Sequence, residues 1–273
     1  VNVEIALAIL LYPGLALALV LALAFGWLAE GRGPARRIGA LRLDASGSTA
    51  LMSILLAALA LALLPWPLHP AAGWSWLARL RPLMLWGALE GAFLVPILPA
   101  LLRPTPLGTR AASRAAQMSA AGRFVLWLAI GVALWSSAGW STAVLPGRAL
   151  AALAGLLALP AAIGSGPFGA ERSLSAAGAE TGLDESTAEM VRFARTLRGA
   201  VLLAALIVAT LPLALITPWV GLLLIVALFL VIALVLRRIA IALPRMTLPA
   251  ALRWCWWRAL PLAVAGLVYL IIV

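Results

Sequence analysis

Glu90 stands in the middle of an apolar run, Leu83-Met84-Leu85-Trp86-Gly87-Ala88-Leu89-Glu90-Gly91-Ala92. On insertion scales, an ionised side chain at the centre of a membrane helix costs roughly 2.5–3.5 kcal/mol, so an acid there calls for a polar cavity, a partner group or another subunit. A low-dielectric interior also disfavours the charged form of a carboxyl group, which lets such a group take up and release a proton near neutral pH. The chemistry open to Glu90 is therefore proton relay, with a neutral, hydrogen-bonded structural glutamate as the alternative. Gly87 and Gly91 flank it and predict close backbone approach. A second set of acids, Glu171, Glu180, Asp184, Glu185 and Glu189, falls in one polar stretch and is followed by Arg192, Arg195 and Arg198, one helical turn apart. These acids are further relay candidates, or members of an ion-paired, solvated surface.

Other chemistries are excluded. The single cysteine, Cys255, rules out an internal disulfide and a cysteine metal cluster. The single histidine, His69, rules out bis-histidine haem ligation within the chain. There is no P-loop, no H-E-x-x-H and no glycine-rich dinucleotide turn. No catalytic residue and no metal ligand is assigned, and the chain reads as non-catalytic by itself. Cys255, among Trp254, Trp256 and Trp257, reads as a packing residue, His69 as a loop residue, and Glu4 as a structural acid near the end of the first span.

These groups have to be positioned by elements suited to lipid. Of 273 residues, 65% are hydrophobic and 11% charged, against about 45–50% and about 25% in soluble domains. That excludes a soluble enzyme, a disordered tail and a nucleic-acid-binding domain. Strand alternation is absent, so the prediction is an all-α polytopic membrane protein with about eight transmembrane helices. The expected spans are 3–29, 47–64, 82–102, 124–145, 149–163, 200–216, 218–236 and 259–273. They form a single transmembrane domain, 1–273, with a long polar loop at 164–199 and an amphipathic segment at 237–258. No cleavage-site pattern precedes the first apolar run, which predicts that the run is retained. Pro13, Pro96, Pro99, Pro160 and Pro212 fall inside spans, and each frees a carbonyl that a neighbouring helix or water must satisfy.

All twenty basic residues are arginine, and the net charge is +11. Seventeen of them fall in odd-numbered loops; the even loops carry only Arg79, Arg81 and Arg148. This alternation is a positive-inside pattern and predicts an N-terminus outside the cytoplasm. It places Arg36, Arg37, Arg110, Arg114, Gln117, Arg192, Arg245 and Arg253 on a cytoplasmic face, where guanidinium forks suit the carboxylates and carbonyls of a partner. Trp66, Trp74, Trp76, Trp140 and Trp219 then fall at the outer interface, where an amphipathic ring is favoured.

Several cytoplasmic stretches carry a family likeness. The seventh loop reads Leu243-Pro244-Arg245, then Arg253-Trp254-Cys255-Trp256, then Leu260-Pro261-Leu262. The third carries Arg110 and Arg114-Ala115-Ala116-Gln117-Met118-Ser119, and the fifth carries Pro167-Phe168, Glu171, Glu185-Ser186 and Met190-Val191-Arg192-Phe193-Ala194. Gly33-Pro34-Ala35-Arg36 adds a weaker echo. In order and in topology this resembles the membrane subunit that carries the quinone chamber of respiratory complex I, and its relatives in membrane-bound nickel–iron hydrogenases. Two motifs depart from the family. Ala120 and Ala121 stand where it has Y-E, and Ile163-Gly164-Ser165-Gly166 stands where it has E-T-N-R.

The resemblance implies a membrane-anchoring, proton-coupling subunit of a multisubunit oxidoreductase in a bacterial or archaeal cytoplasmic membrane. Its implied partners are hydrophilic iron–sulfur subunits on the cytoplasmic side and antiporter-like membrane subunits, within a lipid bilayer. It implies quinone as a ligand, with iron–sulfur clusters, and in hydrogenase relatives a nickel–iron centre, held by partner chains; this chain alone binds no cofactor. The departures break the family's usual carboxylate chain in two places, leaving either a reduced relay through Glu90 and the fifth-loop acids or an anchor that does not pump. A transporter and a purely structural scaffold are the alternatives from other classes.

Overall fold

The computed structural model describes residues 7–31, 44–68, 81–102, 106–135, 141–169 and 183–273. Lipid offers no hydrogen bonds to the backbone, so a spanning segment must satisfy its own, and an apolar run of this composition does so as a helix. Eight helical stretches are long and apolar enough to cross a membrane: α1 (Leu7–Leu28), α2 (Ala45–Leu63), α3 (Arg81–Leu102), α4 (Gly108–Leu134), α5 (Thr142–Ile163), α6 (Glu185–Thr210), α7 (Pro218–Ala242) and α8 (Leu248–Ile272). Among the described residues there is no strand. The chain is an all-helical polytopic membrane protein, as its composition predicts.

The helix ends follow from local chemistry. The Asp44 carboxylate accepts the Gly47 N–H at 2.6 Å and caps α2. Arg81 donates from Nε to the Leu63 carbonyl at 2.6 Å, satisfying an orphan acceptor at the other end of α2. Gly164 closes α5 in the left-handed conformation, φ 72°, and its N–H and that of Ser165 both reach the Pro160 carbonyl. Pro218 occupies the first turn of α7, where its missing N–H is no loss.

Two spans begin well before the apolar runs that announced them. The fourth starts at Gly108 rather than Phe124, and the sixth at Glu185 rather than Ala200. Arginines dilute the hydropathy of these stretches without interrupting a helix, since arginine is a good helix former. The stretch expected as a loop at 164–199 is accordingly helical from Glu185 onward. In the segment expected at 237–258, α7 continues to Ala242 and α8 already begins at Leu248. Trp219 is 68% exposed at the start of α7, as an interfacial ring should be, whereas Trp66 is buried.

The chain divides into two compact units. The first comprises 1–63, 73–117 and 169–201; the second comprises 64–72, 118–168 and 202–273. Within the first, Ser53 on α2 donates from Oγ to the Ala92 carbonyl on α3 at 2.5 Å, and Gly91 lies against Leu56. Gly87 opens onto empty space, so of the two glycines flanking Glu90 only Gly91 serves close packing.

The second unit is built on small residues. Gly147, Ala151, Ala154 and Ala158 of α5 are buried, as are Ala259, Ala263 and Gly266 of α8. A Cβ on Gly266 would stand 2.8 Å from the Gly147 carbonyl oxygen. This is the close backbone approach by which membrane helices gain packing energy, because lipid supplies no hydrophobic drive between them. At one end of the unit, the Met246 N–H donates to the Pro167 carbonyl at 2.8 Å, and Phe168 and Trp254 meet with ring centroids 6.3 Å apart. Within α8, Cys255–Ala259 form a π turn. Most of α7 and α8 exposes large apolar side chains, among them Leu223, Val231, Ile241, Val268 and Ile271.

Candidate functional site

The first unit encloses polar groups within helices long and apolar enough to cross a membrane. α3 supplies Glu90, half-buried and nine residues after Arg81, roughly 14 Å along the helix. Pro96 follows within a short 3-10 turn, Val95–Ile97. A proline in a helix leaves the carbonyl four residues earlier without its usual donor. That carbonyl belongs to Ala92, and it receives two substitutes: Ser53 Oγ at 2.5 Å and Arg198 Nη1 at 3.3 Å. The Arg198 guanidinium also lies over the Phe93 ring, 4.5 Å from its centroid. The carbonyl that sequence reasoning left to a neighbouring helix or water is therefore claimed by two neighbouring helices.

α6 presents a different face to α1. Thr196 Oγ1 donates to a Glu30 carboxylate oxygen at 3.0 Å and lies 3.1 Å from the Arg192 carbonyl. Gly26 leaves room for the Thr196 methyl, which a Cβ at that position would approach to 3.3 Å. Thr196 and Arg198 are two residues apart, about 200° around the helix, so one side of α6 meets the acid just beyond α1 and the other meets the broken turn of α3.

The remaining sequence-predicted acids have other surroundings. Asp184 is exposed and caps α6: the Ser186 hydroxyl donates to it, and the Thr187 N–H approaches it at 3.4 Å. The Ser186 bond, followed by those from Thr187, holds its carboxyl down, to about 2. A carboxylate held ionised this way is not poised to exchange protons near neutral pH. The folded value lies below the ordinary 3.8, so the cap is at full strength above that pH and is lost as pH falls toward the folded value. The protection factor of the Thr187 N–H, its exchange rate relative to that of an unprotected amide at the same pH, is expected to fall as pH drops across that acidic interval and to stay level in the neutral range. An equal fall in protection within the neutral range would exclude the cap. Glu185 is exposed and Glu189 half-buried in the first turns of α6. Glu171 and Glu180 lie outside the described residues.

Of the arginines assigned to a partner-facing surface, Arg110, Arg245 and Arg253 are exposed, as is Gln117; Arg114 and Arg192 are half-buried. Arg110, Arg114, Gln117 and Arg192 belong to the first unit, and Arg245 and Arg253 to the second. Arg36, Arg37 and His69 lie outside the described residues. Three other arginines, which loop counting treated as topological signals, are buried instead: Arg123 at 5% exposure, Arg148 at 2% and Arg198 at 5%. Arg123 Nη1 donates to Ser119 Oγ at 3.0 Å within α4. The sequence carried a signal for Arg198 in its i+3 spacing from Arg195 and Arg192 and in the apolar run that follows. Glu30 carried none beyond being an acid at the end of an apolar run.

In the second unit, the Trp254 indole N–H donates to the Leu157 carbonyl at 3.0 Å, in the turn ahead of Pro160. The Arg258 guanidinium stacks on the same indole at 4.8 Å. Cys255 beside it is buried among Met118, Ala121, Ala161, Phe168 and Ala251, a packing role. Among the described residues no group of histidine, cysteine or carboxylate side chains could hold a metal ion.

No protein-family model and no curated protein matches the chain. Solved structures do. The fold is similar to that of a chain in the membrane-bound sulfane sulfur reductase, an archaeal respiratory membrane complex, with a TM-score of 0.66 at 17% sequence identity. The similarity covers 98% of this chain and 99% of that one.

Proposed function

We propose that the chain is a membrane subunit of a multisubunit respiratory redox complex, in which it anchors hydrophilic iron–sulfur subunits and couples their electron transfer to proton movement. The observation that carries the reading is the end-to-end likeness to a chain of a respiratory membrane complex. The interior of the first unit supports the coupling role. An acid at mid-span and a buried arginine on the neighbouring helix are expensive in lipid and are retained where charge has work to do. Glu90 is the principal relay group in this proposal. Glu185 and Glu189, with Glu171 and Glu180, supply protons from the aqueous side, while Asp184 serves as a helix cap. Redox centres reside in partner chains. Quinone, sulfane sulfur or protons as final electron acceptor are consistent with this subunit's role, since the acceptor chemistry belongs to the partners.

Exposed Arg110, Gln117, Arg245 and Arg253 provide docking groups for hydrophilic subunits in this reading. The test is isolation of the tagged chain from its native membrane in mild detergent. Iron–sulfur proteins and antiporter-like membrane proteins are expected to accompany it, with paramagnetic cluster signals on reduction. A chain that elutes alone or with lipid only would refute the assignment.

A further inference from the structure

All nine acids of the chain fall in the first unit, so the second carries seven arginines and no carboxylate of its own. Arg123 and Arg148 are buried, whereas Arg237, Arg238, Arg245, Arg253 and Arg258 are exposed. A three-residue turn, Gly166–Phe168, gathers the exposed five at one end of the unit. A Cβ on Gly166 would stand 3.0 Å from Ala240 of α7, the Pro167 carbonyl accepts the Met246 N–H, and the Phe168 ring meets Trp254 of α8. Arg238 is two residues before Ala240, and Arg258 stacks on Trp254 at 4.8 Å. Among the described residues no ion pair engages Arg238 or Arg258.

The surroundings of these two guanidinium groups fit a membrane surface rather than open water. Along α7, Val231, Leu234, Val235, Arg238 and Ile241 follow one another at steps of one, three and four, which puts them on one face, and all are exposed. Arg238 thus has large apolar side chains exposed on both sides of it. It follows Trp219, the exposed ring at the start of α7, by nineteen residues, roughly 28 Å along the helix and close to a hydrocarbon thickness of about 30 Å. With an indole at one interface, Arg238 reaches the other. On α8, the π turn leaves Trp256, Trp257 and Arg258 exposed in a row between buried Cys255 and Ala259. Trp257 is 79% exposed, and such a ring is favoured among lipid headgroups.

We propose that this end of the second unit binds an anionic phospholipid: Arg238 of α7 and Arg258 of α8 receive the headgroup phosphate, Trp257 packs at headgroup level, and acyl chains run along Val231, Leu234 and Val235. A phosphodiester presents oxygens that guanidinium forks recognise. A headgroup without a cation of its own brings the negative charge that the unit lacks. Exposed apolar side chains on both sides of Arg238 favour an amphiphile over the hydrated acidic surface of a soluble protein. The site is independent of the redox reading and leaves Arg245 and Arg253 to hydrophilic subunits.

The test uses the chain purified in mild detergent and titrated with phosphatidylglycerol or with phosphatidylcholine of the same acyl chains, bound lipid being counted by native mass spectrometry. Phosphatidylglycerol is expected to bind the wild type more tightly, by roughly fivefold for each arginine. Arg238→Gln and Arg258→Gln should each lose about that factor, and the double variant should bind the two lipids alike. Arg238→Lys with Arg258→Lys should keep most of the preference, because the charge is retained. Equal binding of both lipids by the wild type, or a preference that survives the double glutamine change, would overturn the site. If the double variant is too unstable to purify, the single variants decide: an undiminished preference in both overturns the site, and a loss in each supports it. The occupant in the native membrane is read by carbodiimide treatment of membranes carrying the lysine variants, since the reagent joins an amine to a carboxylate and not to a phosphodiester. No lysine-dependent cross-link to another protein is expected. A cross-link at either position would assign these arginines to an acidic partner protein and reject the lipid.

Discussion

Glu90→Gln, in a complex that assembles normally, is expected to cut proton translocation per electron to a small fraction of the wild-type ratio while electron transfer by the partner subunits continues. Glutamine keeps the length and the hydrogen-bonding reach of the side chain and removes only the exchangeable proton. Glu90 sits half-buried in the turn before the Pro96 break, on the helix face next to Phe93. A structural glutamate on that turn would lose little on conversion to its amide, because its fixed hydrogen bonds can be kept. A relay group would lose its function outright. Translocation is measured in reconstituted vesicles against electrons delivered. An unchanged ratio in the assembled variant would remove Glu90 from the relay and leave the acids around the start of α6 as the candidates in this chain.

Gly122→Ala should be among the most damaging single-methyl changes in the protein. A Cβ there would overlap backbone atoms of Ala161 and Ala162 on α5. Helix backbone cannot rotate aside as a flexible side chain can, so α4 and α5 would have to separate along their contact. Overpacking of this kind costs roughly 1–3 kcal/mol, occasionally more, and the backbone character of the clash puts this case at the upper end. Gly131 lies on the same helix and provides the comparison: a Cβ there meets nothing within 4 Å. Gly131→Ala should therefore be neutral or stabilising by roughly 0.5–1 kcal/mol through helix propensity alone. Unfolding temperatures of the two variants in one detergent give the measurement. Equal effects from both would mean that the α4–α5 contact is looser than these distances require.

The eight spans could be read from apolar runs because lipid imposes one requirement, a self-satisfied backbone over about 20 residues. Their ends could not be read equally well. Hydropathy marks where a helix enters lipid, whereas the helix continues as long as its backbone bonds close. That is why α4 and α6 begin among arginines assigned to loops. The same confusion hid the candidate site. The number of arginines per loop reports topology, a property of populations of loops, whereas Arg123, Arg148 and Arg198 are buried for reasons of contact that a count cannot detect. Glu90 was identifiable because an acid within an apolar run is costly wherever it points. The need to satisfy the carbonyl freed by Pro96 was equally clear. That Ser53 and Arg198 satisfy it depends on which helices are neighbours, and no local pattern encodes that.

The π turn at Cys255–Ala259 bears on how α8 tolerates changes in length. Its buried positions run Ala251, Cys255, Ala259, Ala263 and Gly266, three steps of four residues followed by one of three. In a regular helix each four-residue step advances about 40° past a full circle, so the row would wind off its contact surface within three steps. A turn closed from Leu260 N–H to the Cys255 carbonyl takes in one more residue than an α turn and returns the row to register. The helix on either side thus behaves as two rulers joined with a one-unit offset. A one-residue deletion within 255–259 would let this turn close as an α turn and keep the arginine and tryptophan segment ahead of it on nearly the same heading as the tail, because the π turn holds one residue more than an α turn. The same deletion placed beyond Gly266, where no buried row remains to be kept in phase, would shorten the helix and leave its heading unchanged.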